Sequence, residues 1–246
     1  MASDHPMATD IEPGSPDDSS FELAKPTIPD PESSEDVILA WLQRADLLAS
    51  EIEQLIKQCG AINSRRIRLA TVTHPRTPRH ISLPLLRQLF TFDLMGIALA
   101  PMVAADLKHA AEDVLIQRIE SISAGERLTL ARRASGRVAA SLLIDSDSRV
   151  MRAALDNARL TEVLVTKAIQ NPRVTSSFVE AVCCHGKWSV RQEVRIVLLG
   201  CEKTPLARTL AFARELPASL VRDVLHASKL PPGTKRYLQA ELRIPD

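Results

Sequence analysis

The sequence predicts an all-α protein in which helical units stack one after another behind an acidic N-terminal tail. Three observations lead to this prediction. Apolar residues recur at spacings of three and four, which is the period of an amphipathic helix. The short apolar segments do not keep a period of two, and no Asn-Gly or Asp-Gly pair is present to close a β-hairpin. Similar segments also return along the chain, as in stacked helical repeats.

The composition is that of a globular protein with a sizeable core. The chain has 246 residues, of which 45% are hydrophobic and 25% charged, with a formal net charge of +1. It has no run of about 18 uncharged apolar residues, so no membrane span is predicted. The acidic N-terminus lacks a basic-then-apolar signal segment. We therefore expect a cytoplasmic protein with reduced, buried cysteines. These are Cys59, Cys183, Cys184 and Cys201.

The charge is divided between an acidic N-terminal arm and a basic body. Residues 1–40 hold ten acids and one base, a net −9, whereas the remaining residues hold a net +10. Proline and like-charge repulsion in the arm predict a disordered tail over residues 1–32, followed by a helical domain over residues 33–246. The tail is interpreted either as a solubilising segment or as an arm that folds back on the basic body and competes with an anionic partner.

Order is predicted to begin near Ser33 or Ser34, where Ser33 followed by Asp36 is an N-cap signal, and the first helix is predicted to end at Gly60. Apolar residues at helical spacing place one continuous apolar stripe along it. They are Ile38, Trp41, Leu42, Ala45, Leu48, Ile52, Leu55 and Ile56. Such a helix needs a neighbour against which to bury this stripe.

Two segments further along the chain can be aligned without a gap. Residues 67–78 read IRLATVTHPRTP and residues 194–205 read VRIVLLGCEKTP, at an offset of 127 residues. A third copy, residues 150–161, lies 83 residues after the first and 44 before the last, and a weaker copy is expected near residues 107–115. The offsets of 44, 83 and 127 residues predict one, two and three repeat units respectively, because repeats of two helices run about 40–47 residues.

The turns of these copies have a recognisable chemistry. Thr77 and Thr204 are predicted to N-cap the helix that follows them, with Pro78 and Pro205 at its first position, where no amide donor is missed. Residues 157–161 and 171–175 repeat a related Asn-Thr turn at a spacing of 14 residues, which predicts a compact helix between them.

The segment Val194-Arg195-Ile196 to Lys203-Thr204-Pro205 resembles the HEAT/armadillo-like α-solenoid repeats, most closely the leucine-rich repeat variant. The acidic stretch of residues 145–150 is similar to the turn that precedes such units, and the resemblance covers about residues 60–242. It implies a right-handed α-α superhelix that binds partners along a stacked helical surface. Some related solenoids bind nucleic acid, one group excises alkylated bases, and certain variants carry an iron–sulfur cluster.

The sequence gives no motif for catalysis or for a cofactor. It lacks a phosphate-binding Gly-rich loop and the motifs Gly-x-Ser-x-Gly, Cys-x-x-Cys and His-Glu-x-x-His. We therefore expect that the protein is not an enzyme and that it binds no metal and no cofactor. Cys183, Cys184 and His185 could supply two metal ligands at most, and the close-set cysteines of an iron–sulfur protein are missing. The scattered histidines leave open a catalytic pair assembled by folding. A base-excision enzyme would need an acid and an exposed aromatic in one groove.

The candidate binding residues are basic residues at repeated positions, together with one aromatic residue near a turn, Trp188, for which a half-exposed position is left open. They are Arg68, Arg76, Arg152, Arg159, Trp188, Arg191, Arg195 and Lys203. Equivalent positions in a solenoid line up along one surface, so these residues could form a basic stripe. The alternative is a solvated face of paired charges. The leading hypothesis is a non-catalytic scaffold for a protein partner, and the second is nucleic-acid binding with the acidic tail as competitor.

Overall fold

The computed structural model describes residues 28–30, 33–58 and 64–242, and every regular element in these ranges is an α-helix. The all-α prediction is therefore confirmed for this part of the chain. The helices are α1 (Glu35–Leu42), α2 (Ala49–Gln58), α3 (Arg65–Thr73), α4 (Arg79–Leu86), α5 (Thr91–Leu99), α6 (Ala105–Arg118), α7 (Ala124–Arg133), α8 (Gly136–Ser141), α9 (Ser148–Leu155), α10 (Glu162–Ile169), α11 (Ser176–Cys184), α12 (Gln192–Leu199), α13 (Leu206–Arg214), α14 (Ala218–Ala227) and α15 (Pro232–Leu242).

The helices pack in two rows. Even-numbered helices contact one another in succession from α4 to α14, and odd-numbered helices do so from α1 to α3, from α7 through α9 to α11, and from α13 to α15. Sequential helices join the two rows, as α3 with α4, α5 with α6, and α7 with α8. The packing unit is therefore one helix of each row, and this arrangement is compatible with a helical-repeat stack.

The repeating unit is shorter than the sequence predicted. Side-chain hydrogen bonds join successive units at separations of 27 residues for Arg79 and Asp106, 28 for Arg65 and Asp93, and 29 for His185 and Asp156. The offset of 44 residues spans three helices, because α9 and α12 begin 44 residues apart. The first and last matching segments, on α3 and α12, lie in different rows and so are not equivalent positions of one repeat. The predicted two-helix unit of 40–47 residues was wrong because most of these helices have only eight to ten residues.

The core runs through the stack as three adjoining apolar clusters. The central cluster extends from Val72 on α3 to Phe212 on α13. A second cluster, which includes Ile67 of α3, packs α1 and α2 at the N-terminal end, and a third, which includes Leu199 of α12, packs the C-terminal helices. The clusters meet on α3 and α12, so each unit buries its apolar face against its neighbours.

The predicted first helix is two helices in the structure. Residues 43–48 separate α1 from α2, and Leu47 in this break is fully buried in the N-terminal cluster. The N–H of Leu48 donates to the Glu51 carboxylate at 2.7 Å, which caps the start of α2. The N-cap residue of α1 is Ser34 and not the predicted Ser33, and it makes no side-chain cap bond. The predicted stop at Gly60 and the predicted disorder of residues 1–27 and 31–32 lie outside the described residues, whereas Ile28, also in the predicted tail, packs against the N-terminal cluster.

Thr77 and Thr204 occupy equivalent buried positions, but they do not N-cap the following helices. Each hydroxyl donates to the carbonyl oxygen six residues before it, at 2.6 Å for Thr77 and 2.7 Å for Thr204. Pro78 and Pro205 are themselves the N-cap residues of α4 and α13. The threonines instead close the C-terminal end of the preceding helix, where carbonyl groups lack amide partners.

Replacing Thr77 with valine should lower the free energy of unfolding by about 1–3 kcal/mol, because it leaves a buried carbonyl unsatisfied. That carbonyl belongs to Thr71, and the residue four positions later, Pro75, has no N–H to donate. Thr204→Val should cost less, because the N–H of Cys201 also donates to the corresponding carbonyl. Urea unfolding followed by circular dichroism measures both losses, and equal losses would contradict this explanation.

The two Asn-Thr turns are confirmed as repeats of one local structure. The side-chain oxygen of Asn157 accepts from the backbone N–H two residues later at 2.8 Å, and Asn171 accepts in the same way at 2.8 Å. Thr161 and Thr175 then take the N-cap positions of α10 and α11. The compact helix predicted between these turns is α10.

Candidate binding surface

Trp188 is buried, which excludes the half-exposed position that the sequence left open. Its exposed fraction is 2%, and its indole N–H donates to the carbonyl oxygen of Leu155 at 2.8 Å. The ammonium of Lys187 lies 4.1 Å from the centre of the ring. The turn between α11 and α12 folds over the C-terminal end of α9, and Trp188 joins the two units there. The sequence shows only a polar turn at this position and does not reveal that the turn packs over the end of another helix.

Three of the predicted basic residues use their side chains to bind carbonyl oxygens of neighbouring turns. The pairs are Arg68 with Gln88 at 3.1 Å, Arg159 with Arg133 at 3.2 Å, and Lys203 with Val174. Gln88 and Arg133 lie at the C-terminal ends of α4 and α7, where a cation interacts favourably with unpaired carbonyls and the helix dipole, whereas Val174 lies in the turn before α11. These residues therefore hold the stack together at the positions where the sequence predicted a binding stripe.

Arg195 has a similar internal role. Its guanidinium donates to the carbonyl oxygen of Ser189 at 2.7 Å, lies 2.6 Å from the Glu215 carboxylate, and sits 5.7 Å from the centre of the Phe212 ring. The side chain is only 19% exposed. Arg195 thus packs between α12 and the end of α13, and little of it is available to a partner.

The remaining three candidates lie on the surface. Arg191 is 4.0 Å from the Glu162 carboxylate of the preceding unit, whereas Arg76 and Arg152 are exposed and have no ion pair within 4.0 Å among the described residues. Other arginines pair with acids from one unit to the next. These pairs are Arg65–Asp93, Arg66–Asp36, Arg79–Asp106, Arg137–Asp113 and Arg214–Glu241. Charges of both signs therefore alternate along this part of the surface.

A groove of about 480 Å³ between α9 and α11 brings Arg152, Asp156, Cys184 and His185 together. His185 accepts from the backbone N–H of Lys187 through Nδ1 at 3.2 Å, so its Nε2 carries the proton and donates to Asp156 at 3.1 Å. Both ring nitrogens are engaged, and His185 cannot take a proton from the Cys184 thiol in this arrangement.

Cys183 and Cys184 should differ sharply in reactivity. Burial raises the pKa of the Cys183 thiol to about 11, and the side chain is 1% exposed, whereas Cys184 is exposed, contrary to the expectation that all four thiols are buried. Because the thiolate is the nucleophile, iodoacetamide at neutral pH should label Cys184 and spare Cys183 in the folded protein. Tandem mass spectrometry locates the label. Equal labelling of both residues before unfolding would contradict the burial of Cys183, and labelling in denaturant is the control.

An exposed apolar feature that the sequence analysis missed is the outer face of α5 with the turn after it. We use the name α5 surface for Phe92, Met95, Gly96 and Leu99 of this helix together with Met102 of the turn. Phe92 is 45% exposed and Met102 92% exposed, Gly96 is exposed, and Met95 and Leu99 are half-buried. The first four positions follow the i, i+3, i+4, i+7 spacing of one helical stripe.

The inner face of α5 explains why this stripe points outward. Leu94 and Ile97 are buried in the central cluster, and Asp93 is the only charged residue of the helix. The guanidinium of Arg65 binds the Asp93 carboxylate through two hydrogen bonds of 2.8 and 2.7 Å and lies 5.2 Å from the centre of the Phe90 ring. This contact to α3 fixes the rotation of α5 about its axis.

The outer faces of neighbouring odd-numbered helices are charged. Their exposed positions include Arg66 on α3, Arg132 on α7, Arg152 on α9 and Glu180 on α11. The apolar outer face of α5 is the exception among these helices. The sequence contained a signal for it, because residues 90–103 include only one charged residue. It was missed because a helix that is apolar all round is expected to be buried on all sides.

Within the described residues, no group of three or more His, Cys, Asp and Glu side chains is arranged to hold a metal ion. No described helix has the length and apolarity required to cross a membrane. Comparison of the chain with protein families, with curated proteins and with solved structures found no match.

Proposed function

We propose that this protein is a non-catalytic helical-repeat scaffold that binds a protein partner at α5, in the N-terminal half of its odd-numbered row of helices. The observation that carries this proposal is the α5 surface, an apolar stripe exposed within a row of charged helices. Contiguous exposed apolar surface on an otherwise polar protein is typical of an interaction site. We also propose, as part of this function, that the repeats are of the HEAT/armadillo type and that the stack twists into a right-handed superhelix.

The links between units support a scaffold role. Trp188, His185 and Asn157 each join their own turn to the end of the preceding unit, through bonds of 2.8, 3.1 and 2.8 Å respectively. A surface built across such linked units presents its side chains at fixed spacing, which lowers the ordering cost of binding. The bonding of His185 through both ring nitrogens also supports a non-catalytic role for the groove between α9 and α11.

The test is affinity purification of the full chain from cells that express it, with Leu99→Glu as the interface variant and Leu206→Glu as the control. Leu206 is also an exposed leucine, at 44%, but lies on α13. A specific protein that co-purifies with the wild type and the control, but not with Leu99→Glu, supports the proposal. Turnover of a substrate, or co-purification of no specific protein, would overturn it.

Nucleic-acid binding is the second candidate function. The observation in its favour is that Arg132, Arg133 and Arg152 are exposed and have no carboxylate within 4.0 Å in the described ranges. It ranks second because many other arginines pair with acids or bind carbonyl oxygens. Binding of the full chain to duplex and single-stranded nucleic acid at several salt concentrations tests it, since phosphate contacts predict a steep loss of affinity with salt. Undetectable or salt-insensitive binding would remove it.

A further inference from the structure

We propose that the α5 surface binds an amphipathic helix of the partner protein whose apolar stripe is flanked by acidic residues. This inference rests on the scaffold function proposed above and names the chemistry of the partner. Three features of the described residues carry it: the shape of the apolar stripe, an unexplained glycine at its centre, and the charge of the helices on either side.

The stripe has the residue spacing of the contact face of one docked helix. Phe92, Met95 and Leu99 lie on successive turns of α5, and the exposed Met102 follows in the turn after the helix. Leu99 is half-buried but does not pack against any of the three core clusters. Helix recognition typically uses anchors at i, i+3, i+4 and i+7 on an apolar helical face. An α-helix laid along α5 would cover all of these side chains.

Gly96 lies at the centre of the stripe, where packing within the described part of the chain does not require a glycine. A glycine within a helix is destabilising relative to alanine. A Cβ atom added at this position would meet nothing within 4 Å, so no neighbouring element requires glycine here. The space around this position is open, and with Phe92 and Leu99 about one turn away on either side the missing side chain would form a shallow depression for an apolar side chain of a crossing helix.

The helices beside α5 favour an acidic partner. Together α3 and α7 contain six arginines and one glutamate. Arg65 reaches α5 through Asp93. The Ser123 side chain and, more weakly, the nearby Thr91 side chain of α5 lower the pKa of the Glu126 carboxyl on α7, so both helices adjoin α5.

Several of these six arginines already have internal partners, but Arg132 and Arg133 do not. Both are exposed at the end of α7, and no carboxylate of the described residues lies within 4.0 Å of either guanidinium. Carboxylates on the flanks of a docked helix would supply the missing negative charge, and complementary charge of this kind selects the partner and orients it.

The test uses two synthetic helical peptides with the same leucine stripe, one flanked by glutamates and the other by lysines, and measures fluorescence anisotropy with the full chain. We expect the glutamate peptide to bind at least about tenfold more tightly than the lysine peptide. Leu99→Glu should weaken binding of the glutamate peptide about tenfold or more, whereas Leu206→Glu should leave it unchanged. The double variant Arg132→Glu/Arg133→Glu should reverse the preference between the peptides.

Gly96 provides a variant that separates binding from folding. Gly96→Ala should raise the melting temperature, because alanine is the better helix former and its Cβ atom has free space. Gly96→Leu should fill the depression and weaken the binding of the glutamate peptide. A folded Gly96→Leu protein that binds this peptide as tightly as wild type would count against the inference.

Two other outcomes would overturn the inference. Equal binding of both peptides, or binding unaffected by Leu99→Glu, would show that α5 does not select an acidic helix. Concentration-dependent self-association in analytical ultracentrifugation that Leu99→Glu abolishes would make a second copy of this chain the occupant. The scaffold function is tested separately. A co-purifying protein that cross-links only to other helices would be consistent with the scaffold function and would exclude the α5 surface as its binding site.

Discussion

Replacing Trp188 with alanine is expected to lower the free energy of unfolding by about 3–5 kcal/mol. Trp188 is among the largest fully buried side chains of the described residues, and its indole N–H donates to Leu155 of the preceding unit at 2.8 Å. The substitution therefore removes both core volume and a bond between units. Urea unfolding followed by far-ultraviolet circular dichroism measures the loss.

Phenylalanine variants separate these two contributions. Trp188→Phe retains part of the ring volume but leaves the Leu155 carbonyl without its indole donor. Trp41 is also buried, at 7% exposure, but its indole N–H has no hydrogen-bond partner in the described structure. Trp41→Phe should therefore destabilise the protein less than Trp188→Phe. A larger loss for Trp41→Phe would refute the importance assigned to the Trp188 hydrogen bond.

Gly136→Ala should destabilise the protein by about 1–3 kcal/mol through overpacking. Gly136 is the first residue of α8, and a Cβ atom there would overlap the backbone carbonyl of Arg159 and lie 3.3 Å from a methyl carbon of Leu164. The carbonyl belongs to the turn between α9 and α10, so the backbone of the following unit would have to move.

Gly125→Ala is the matched control, because a Cβ atom at that α7 position would meet nothing within 4 Å. It should leave stability unchanged or raise it slightly. Thermal unfolding of both variants measures the difference. If Gly136→Ala proved as stable as Gly125→Ala, the close approach of α8 to the following turn would not be a packing constraint.

Local patterns in the sequence predicted local structure well. The period of the apolar residues identified a helical protein, and the two Asn-Thr turns located α10 correctly. These features depend on neighbouring residues only, such as the bond from the Asn157 side chain to the backbone two positions later. The repeat length was wrong because a matching helix and turn, such as α3 and α12, can recur in either row.

The candidate site was harder to predict because exposure depends on contacts between units. Trp188 and Arg195 have the residue types of an interface, but both are held by the neighbouring turns. The α5 surface showed the opposite error, since its apolar residues have the pattern of a core. The bonds of Arg65 to Asp93 set which side of α5 faces outward, and that pairing over 28 residues is not visible in the spacing of α5 alone.

The bonds that join successive units also bear on how the protein is made. The most distant in sequence of the side-chain hydrogen bonds described above, between Trp188 and Leu155, closes a loop of only 33 residues. Short loops of this kind cost little entropy and favour rapid folding. Each hairpin can therefore dock on the finished part of the stack soon after it leaves the ribosome, and the N-terminal half should acquire its native contacts while the C-terminal half is still being translated.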